Sequence, residues 1–108
     1  MNNPTIYVIT EDPANLIASI NHEIEIEKII TWDVYTTEPN SFTHKTPQWN
    51  KRGFIQAKIL QGKVAFAFSP SRAVKANEIT EVRAVYIGRF VEMLMAHFST
   101  QINGISIE

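Results

Sequence analysis

The feature that most constrains the fold of this chain is a long helical pattern over residues 77–99. Asn77 is a favourable N-cap residue, and Glu78 and Glu81 complement the positive end of the helix dipole. The apolar side chains of this helix include Ile79, Val82, Tyr86, Ile87, Phe90, Val91, Met93, Leu94, Met95 and Phe98. A surface helix usually buries a stripe a little over ~100° wide, and this helix offers roughly twice that. We therefore expect it to be covered on two sides.

The two apolar flanks of this helix predict two different contacts. The first flank comprises Tyr86, Phe90 and Leu94, and the second comprises Val91, Met95 and Phe98. We expect the first flank to pack against Phe66, Phe68 or the first strand. A hydrophobic side chain that stays in water forgoes about 1.5–3 kcal/mol of burial, so the second flank should also find cover. The short first helix, a partner protein or a second copy of the chain could supply it, and we favour a homodimer.

The remaining pattern predicts the element order β-α-β, a loop, β-β, α-β. The predicted strands span residues 5–10, 24–36, 54–60, 63–69 and 105–107. A short helix follows Asp12 and Pro13, which suit its N-cap and first turn, and is expected to end near Asn21 or His22. Gln61 and Gly62 form the turn of the clearest hairpin. The strand over 24–36 rests on the alternation of isoleucines with glutamates, which places Glu23, Glu25 and Glu27 on one solvated strand face.

This order predicts one α+β domain spanning residues 1–108, with two layers. The sheet is expected to be mostly antiparallel, with two helices packed on it. The order is compatible with a ferredoxin-like split β-α-β arrangement that carries an inserted loop or strand. It is equally compatible with a different antiparallel sheet that has both helices on one face, and the pattern leaves the two open.

Composition excludes several classes of protein. The 108 residues contain no cysteine, which excludes disulfides and thiolate sites. No apolar run approaches the ~20 residues that cross a bilayer, and the first residues lack the pattern of a signal peptide. The three histidines have no metal-ligand spacing, and no glycine-rich phosphate loop occurs. We expect a cytoplasmic protein with no metal, no cofactor and no membrane contact.

Charge is strongly segregated along the chain. Residues 1–38 carry seven acids and one base, whereas residues 39–77 carry seven bases and no acid. Opposite charges on neighbouring strands stabilise a sheet by roughly 0.2–1 kcal/mol a pair. We therefore predict that Lys58 or Lys63 lies beside an acid of residues 23–38.

The irregular region over residues 38–53 is a candidate binding loop, within which 42–46 could form a short edge strand. Its candidate binding residues are Phe42, His44, Lys45, Trp49, Lys51 and Arg52. Cations placed between aromatic rings can neutralise phosphates while bases stack on the rings. The slightly acidic net charge of −1 argues against a dedicated nucleic-acid domain. We expect this loop to be mobile in the free protein, since it has little apolar content to anchor it.

Two polar side chains fall inside the apolar arc of the long helix. Arg83 and His97, together with Tyr86, are the candidate lining of a pocket between this helix and the sheet. A histidine on an apolar helix face is more often a hydrogen-bonded core residue than a catalytic or binding residue, so a structural role is the main alternative for His97. The function favoured by the sequence is a non-enzymatic protein-binding or regulatory module, with Val91, Met95 and Phe98 as the candidate interface of a homodimer. A small enzyme or ligand-binding domain is the second hypothesis, and a weak nucleic-acid binder is the third.

Overall fold

The computed structural model describes residues 3–35 and 40–108, and its strands form one antiparallel sheet. The strands are β1 Thr5–Ile9, β2 Trp32–Val34, β3 Ser41–His44, β4 Gly53–Leu60, β5 Lys63–Pro70 and β6 Gly104–Ile107. The helices are α1 Pro13–Glu25 and α2 Ile79–Phe98, and a short 3-10 helix over Ala76–Glu78 precedes α2. The strand order across the sheet is β2-β3-β4-β5-β1-β6, so that β2 and β6 are the two edges.

One face of the sheet carries the core, and both helices pack on that face. The register pairs Ile6 with Phe66 and Val8 with Val64, and all four side chains are buried. Tyr7 and Lys63 point to the other face, which is largely open to solvent in the described part of the chain. The predicted α+β class, with a mostly antiparallel sheet and two helices, is confirmed. The ferredoxin-like assignment is not confirmed and stays a prediction.

The first helix is longer than the sequence predicted, and the prediction of one long strand over residues 24–36 is wrong. Helix α1 continues to Glu25, and Lys28 N–H closes its end on Glu23 O. The side chains that α1 buries are Leu16, Ile17, Ile20 and Ile24. Ile24 satisfies the helical spacing as well as the strand alternation, and packing against the core decided between them. Glu27 then takes a φ of 62°, which ends the helix, and β2 is left with three residues.

A strand lies inside the predicted binding loop. Residues 42–46 could have formed a short edge strand, but Ser41–His44 form β3, an interior strand between β2 and β4. All four residues of β3 are buried. Residues 36–39 lie outside the described part of the chain, so the predicted mobility of the loop stays a prediction.

The hairpin and the long helix agree with the sequence pattern. Strands β4 and β5 pair along their whole length, and Gly62 in the turn has a φ of 72°. Helix α2 starts at Ile79 rather than after Asn77, because Lys75 N–H donates to the Glu78 carboxylate (3.2 Å) and a 3-10 turn intervenes. Phe90 contacts Phe66 with ring centroids 4.8 Å apart, as the first flank predicted.

The second flank of α2 is divided between the core and the surface. Phe98 is fully buried by its own chain, Val91 is half-buried, and Met95 is 62% exposed. Of the predicted interface residues, Val91 and Met95 are therefore accessible to a partner. Phe98 is not, because its side chain is fully buried.

The predicted charge pairing across the sheet is not found in the described residues. Lys63 lies over the ring of Tyr7, 5.1 Å from its centroid, and no described acid forms an ion pair with Lys58 or Lys63. The basic hairpin does not pair with β2, because β3 lies between them. Across residues 3–35 and 40–108, no helix is long and apolar enough to cross a membrane.

Candidate functional site

Helix α2 has a concave surface on each side. The first, which we call the aromatic pocket, has a volume of about 560 Å³. Its lining includes Trp32, His44, Thr46, Trp49, Arg89, Glu92, Met93 and His97. The second, which we call the edge groove, has a volume of about 610 Å³ and runs between α2 and β6. Its apolar lining is Val91, Met95, Ile102, Ile105 and Ile107.

The base of the aromatic pocket is built by the pairing of β2 with β3. Trp32 lies directly opposite His44 in the register, and their rings meet edge to face at 5.0 Å. Trp32 also packs edge to face on Tyr86 (5.6 Å) and Phe90 (5.1 Å), which joins β2 to α2. Edge-to-face contacts of this kind stabilise beyond the burial of area alone. The base is thus a rigid aromatic cluster.

A single hydroxyl attaches the segment after β3 to helix α2. Tyr86 Oη donates to the carbonyl of Trp49 and accepts from the backbone N–H of Arg52 (3.2 Å). It also lies 3.2 Å from the hydroxyl of Thr43. Because Tyr86 is fully buried, these bonds are shielded from water. They hold Trp49 at the wall of the pocket.

His44 is a neutral hydrogen-bond donor at the pocket. The backbone N–H of Thr46 donates to His44 Nδ1 (3.4 Å), and the Thr46 hydroxyl lies 2.9 Å from the same atom. Since a backbone N–H can only donate, Nδ1 accepts, and the neutral ring carries its proton on Nε2. Burial lowers the pKa of His44, and the positive charge of Arg89 lowers it further.

The Nε2 proton of His44 has no partner among the hydrogen bonds of residues 3–35 and 40–108. Ser71 Oγ is the one side-chain nitrogen or oxygen of that part of the chain that is both fully buried and unpaired. His44 is 4% exposed and lies in the lining of the aromatic pocket.

Two side-chain pairs include residues that line the pocket. Arg89 Nη1 lies 3.6 Å from Glu92 Oε1 on the exposed surface of α2. His97 Nδ1 lies 3.5 Å from Glu23 Oε1, which connects the end of α2 to α1. Exposed pairs at these distances are weak, so the Arg89 guanidinium remains open to a ligand.

The predicted loop residues do not form one surface. His44 and Trp49 line the aromatic pocket, whereas Phe42 is fully buried in the core. Lys45 and Lys51 are exposed, and Arg52 pairs with Glu78 at 3.1 Å, which lowers the pKa of that glutamate. Phe42 therefore cannot stack a base, and the nucleic-acid hypothesis keeps only Trp49 as an accessible aromatic ring of this set.

The predicted pocket residues are likewise separated. His97 lines the aromatic pocket, and Tyr86 lies beneath it as a structural anchor. Arg83 faces the other side of α2, where its guanidinium donates to Asn3 Oδ1 (3.4 Å) beside Pro4, Gly88 and Ile107. Sequence reasoning missed Arg89 and Trp32 as pocket residues. Their signal was weak, since Arg89 lies on the polar stripe of the helix and Trp32 was assigned to a long strand.

The edge groove continues onto an open strand edge. Strand β6 pairs with β1 on one side only, and Ile105 and Ile107 share the helix-covered face with Val8 and Ile6. Ile107 is 40% exposed and Met95 is 62% exposed. Polar side chains are few along this groove, and no ionisable group lines it.

No cluster of three or more metal-ligating side chains occurs in the part of the chain that the structure describes. Comparison with known proteins found no matching family model, no significantly similar curated protein and no significantly similar solved structure.

Proposed function

We propose that this chain is a non-enzymatic protein-binding or regulatory module that works as a homodimer, in which β6 pairs with β6 of a second copy. The observation that carries the proposal is the open edge of β6, beside exposed apolar side chains of α2. Sheet edges in native proteins are usually shortened, charged or covered, because an open edge pairs with other chains. The β2 edge follows this rule, since it has only three residues and carries Asp33. The β6 edge is also short, with four residues, but none of them is charged.

The hydrogen bonds of β6 leave two residues available for pairing. Thr5 and Glu108 exchange both backbone hydrogen bonds, at 2.8 and 3.0 Å. Hydrogen-bonded residues alternate along an antiparallel strand, so Ser106 also turns its backbone toward β1. The N–H and C=O groups of Ile105 and Ile107 therefore point away from β1, toward the open edge.

The spacing of these free backbone groups allows two copies of β6 to pair with each other. When Ser106 lies opposite Ser106 of the second copy on a two-fold axis, Ile105 of each copy lies opposite Ile107 of the other. Both of these pairs are hydrogen-bonded pairs, and no like-charged residues stand opposite each other. A contact that uses the same patch on both copies closes as a dimer.

The apolar side chains of the groove are covered in this arrangement. Opposite residues of an antiparallel pair point to the same face, so the isoleucines of both copies lie beside both α2 helices. Met95 and Val91 then flank the junction. Full burial of a side chain such as Met95 stabilises by about 1.5–3 kcal/mol.

Sedimentation or light scattering at micromolar concentration tests the proposal. We expect the wild-type protein to have twice the chain mass of 12.3 kDa. Ile107→Lys should give a monomer, because a charge on an open edge opposes pairing. Ile30→Lys is the matched control, since Ile30 is a 70% exposed isoleucine near the opposite edge of the sheet. It should remain a dimer.

A wild-type protein that stays monomeric at all accessible concentrations would remove the homodimer. A dimer that persists in Ile107→Lys would place the contact elsewhere on the molecule.

A further inference from the structure

The aromatic pocket has the composition of a small-molecule site, independently of the dimer. It lies on the side of α2 that faces β2 and β3, whereas the proposed dimer contact lies at β6. Its volume of about 560 Å³ lies within the range of ligand pockets. Such pockets combine apolar walls with a few polar groups that fix the orientation of the ligand.

The walls favour a planar apolar body. Trp32 is buried at the base and Trp49 is half-buried at the wall, and Met93 of α2 adds a polarisable thioether to the lining. Flat rings pack well on tryptophan and methionine side chains. The bonds of Tyr86 to Trp49 and Arg52 hold this wall in place before a ligand arrives.

The polar groups favour one negative charge. Arg89 supplies the cation, since its pairing with Glu92 is long and exposed. His44, which lines the pocket, supplies a neutral Nε2–H with no hydrogen-bond partner among the described residues. A carboxylate accepts from a guanidinium and from a neutral N–H at the same time.

Other ligand classes fit less well. A phosphate carries more negative charge than one arginine compensates, and Glu92 beside that arginine would repel the excess. A metal ion lacks a set of ligands among the described residues. We infer that the aromatic pocket binds a small planar carboxylate, with its negative group between Arg89 and His44 and its ring against the tryptophans.

The chain contains its own reporters for a test. Its two tryptophans, Trp32 and Trp49, both line this pocket. We would titrate 2-naphthoate and its neutral isostere 2-naphthamide while following the two indole N–H signals by NMR. The expected result is saturable movement of both signals, with 2-naphthoate binding about tenfold more tightly, as expected for a hydrogen bond to a charged group.

Two arginine variants locate the charge. Arg89→Gln should reduce the preference for the carboxylate to about twofold or less, since it removes the cation from an exposed helix position that the fold does not need. Arg72→Gln is the matched control, because Arg72 is exposed and lies outside the pocket. It should retain the full preference.

Several outcomes would overturn the inference. They are the absence of saturable indole shifts up to about 10 mM 2-naphthoate, equal affinity for the amide, and an unchanged preference in Arg89→Gln. Displacement of 2-naphthoate by an equal concentration of inorganic phosphate would also overturn it, because the pocket would then prefer the more highly charged anion. None of these outcomes depends on whether the protein is a dimer.

Discussion

The two sides of α2 differ in the kind of chemical group that they leave without a contact. On the β2 side, the segment after β3 folds over the helix, and the open groups are polar, namely the His44 Nε2–H and the Arg89 guanidinium. On the β6 side, the described chain covers the helix only in part, and the open groups are the apolar side chains of Met95 and Ile107 and a strand edge.

This difference shows why one helix can serve two kinds of contact. An aromatic cavity with few donors suits a small molecule, whereas an open strand edge with an apolar border suits another chain. Both are consequences of a helix whose apolar arc is wider than one sheet can cover. Four substitutions or conditions separate the two sides, in decreasing order of expected effect.

The largest difference is expected between two neighbouring residues of the second flank. Phe98→Ala should lower the free energy of unfolding by about 3–5 kcal/mol, because it leaves a cavity in the core. Met95→Ala should change it by less than about 0.5 kcal/mol in the Ile107→Lys background, where the proposed dimer is absent. Urea denaturation measures both. Equal losses would mean that Met95 is buried by its own chain and that the edge groove is closed.

Removal of one oxygen should affect the pocket side alone. Tyr86→Phe removes the hydroxyl that bonds the Trp49 carbonyl and the Arg52 N–H, which keep only their 3.3 Å hydrogen bond to each other, and this should cost about 1–3 kcal/mol. We expect weaker 2-naphthoate binding and an unchanged dimer mass. Tyr7→Phe is the matched control, since the Tyr7 hydroxyl makes no hydrogen bond in the described residues, and should cost less than about 0.5 kcal/mol. Loss of the dimer in Tyr86→Phe would show that the two sides are coupled.

A substitution at Gly88 should stabilise the monomer. Glycine within a helix costs about 0.5–1 kcal/mol relative to alanine, and a Cβ added at Gly88 meets no atom within 4 Å. Gly88→Ala should therefore raise the free energy of unfolding by that amount in the Ile107→Lys background. Gly53→Ala is the contrast, because its Cβ would clash with the ring of Phe68. A destabilised Gly88→Ala would mean that this side of α2 is more closely covered than the structure shows.

Acidification should act through the pocket and have the smallest effect. The folded state lowers the pKa of His44, so the unfolded chain binds more protons below about pH 6.5. Stability should therefore be greatest above that pH and fall as the pH is lowered from 7.5 to 5.5. His44→Gln should remove this part of the pH dependence, and His22→Gln, at an exposed position, should leave it. A slope that is unchanged in His44→Gln would exclude His44 as its source.

Local periodicity was sufficient to predict an element where the apolar spacing of a single segment fits only a helix or only a hairpin. The 3.6-residue spacing of Tyr86, Phe90 and Leu94 predicted both α2 and the flank that meets the sheet. Gly62 between two alternating segments predicted the hairpin of β4 and β5. Local periodicity gave the wrong element over residues 24–36, because Ile24 is compatible with both a helix and a strand. Burial of Ile24 against the core decides for the helix.

The sequence by itself determined the α+β class, the hairpin and a helix with more apolar surface than one sheet can cover. Tertiary structure decided which part of that surface remains open. Phe98 became core and Met95 stayed outside, although both lie on the same predicted flank. His44 and Arg89 came together because Trp32 packs on Tyr86 and Phe90, which draws β2 and β3 beside α2. Such proximity depends on the order of the strands in the sheet. Strand order follows from the packing of the whole core, and the spacing of residues within one segment contains no information about it.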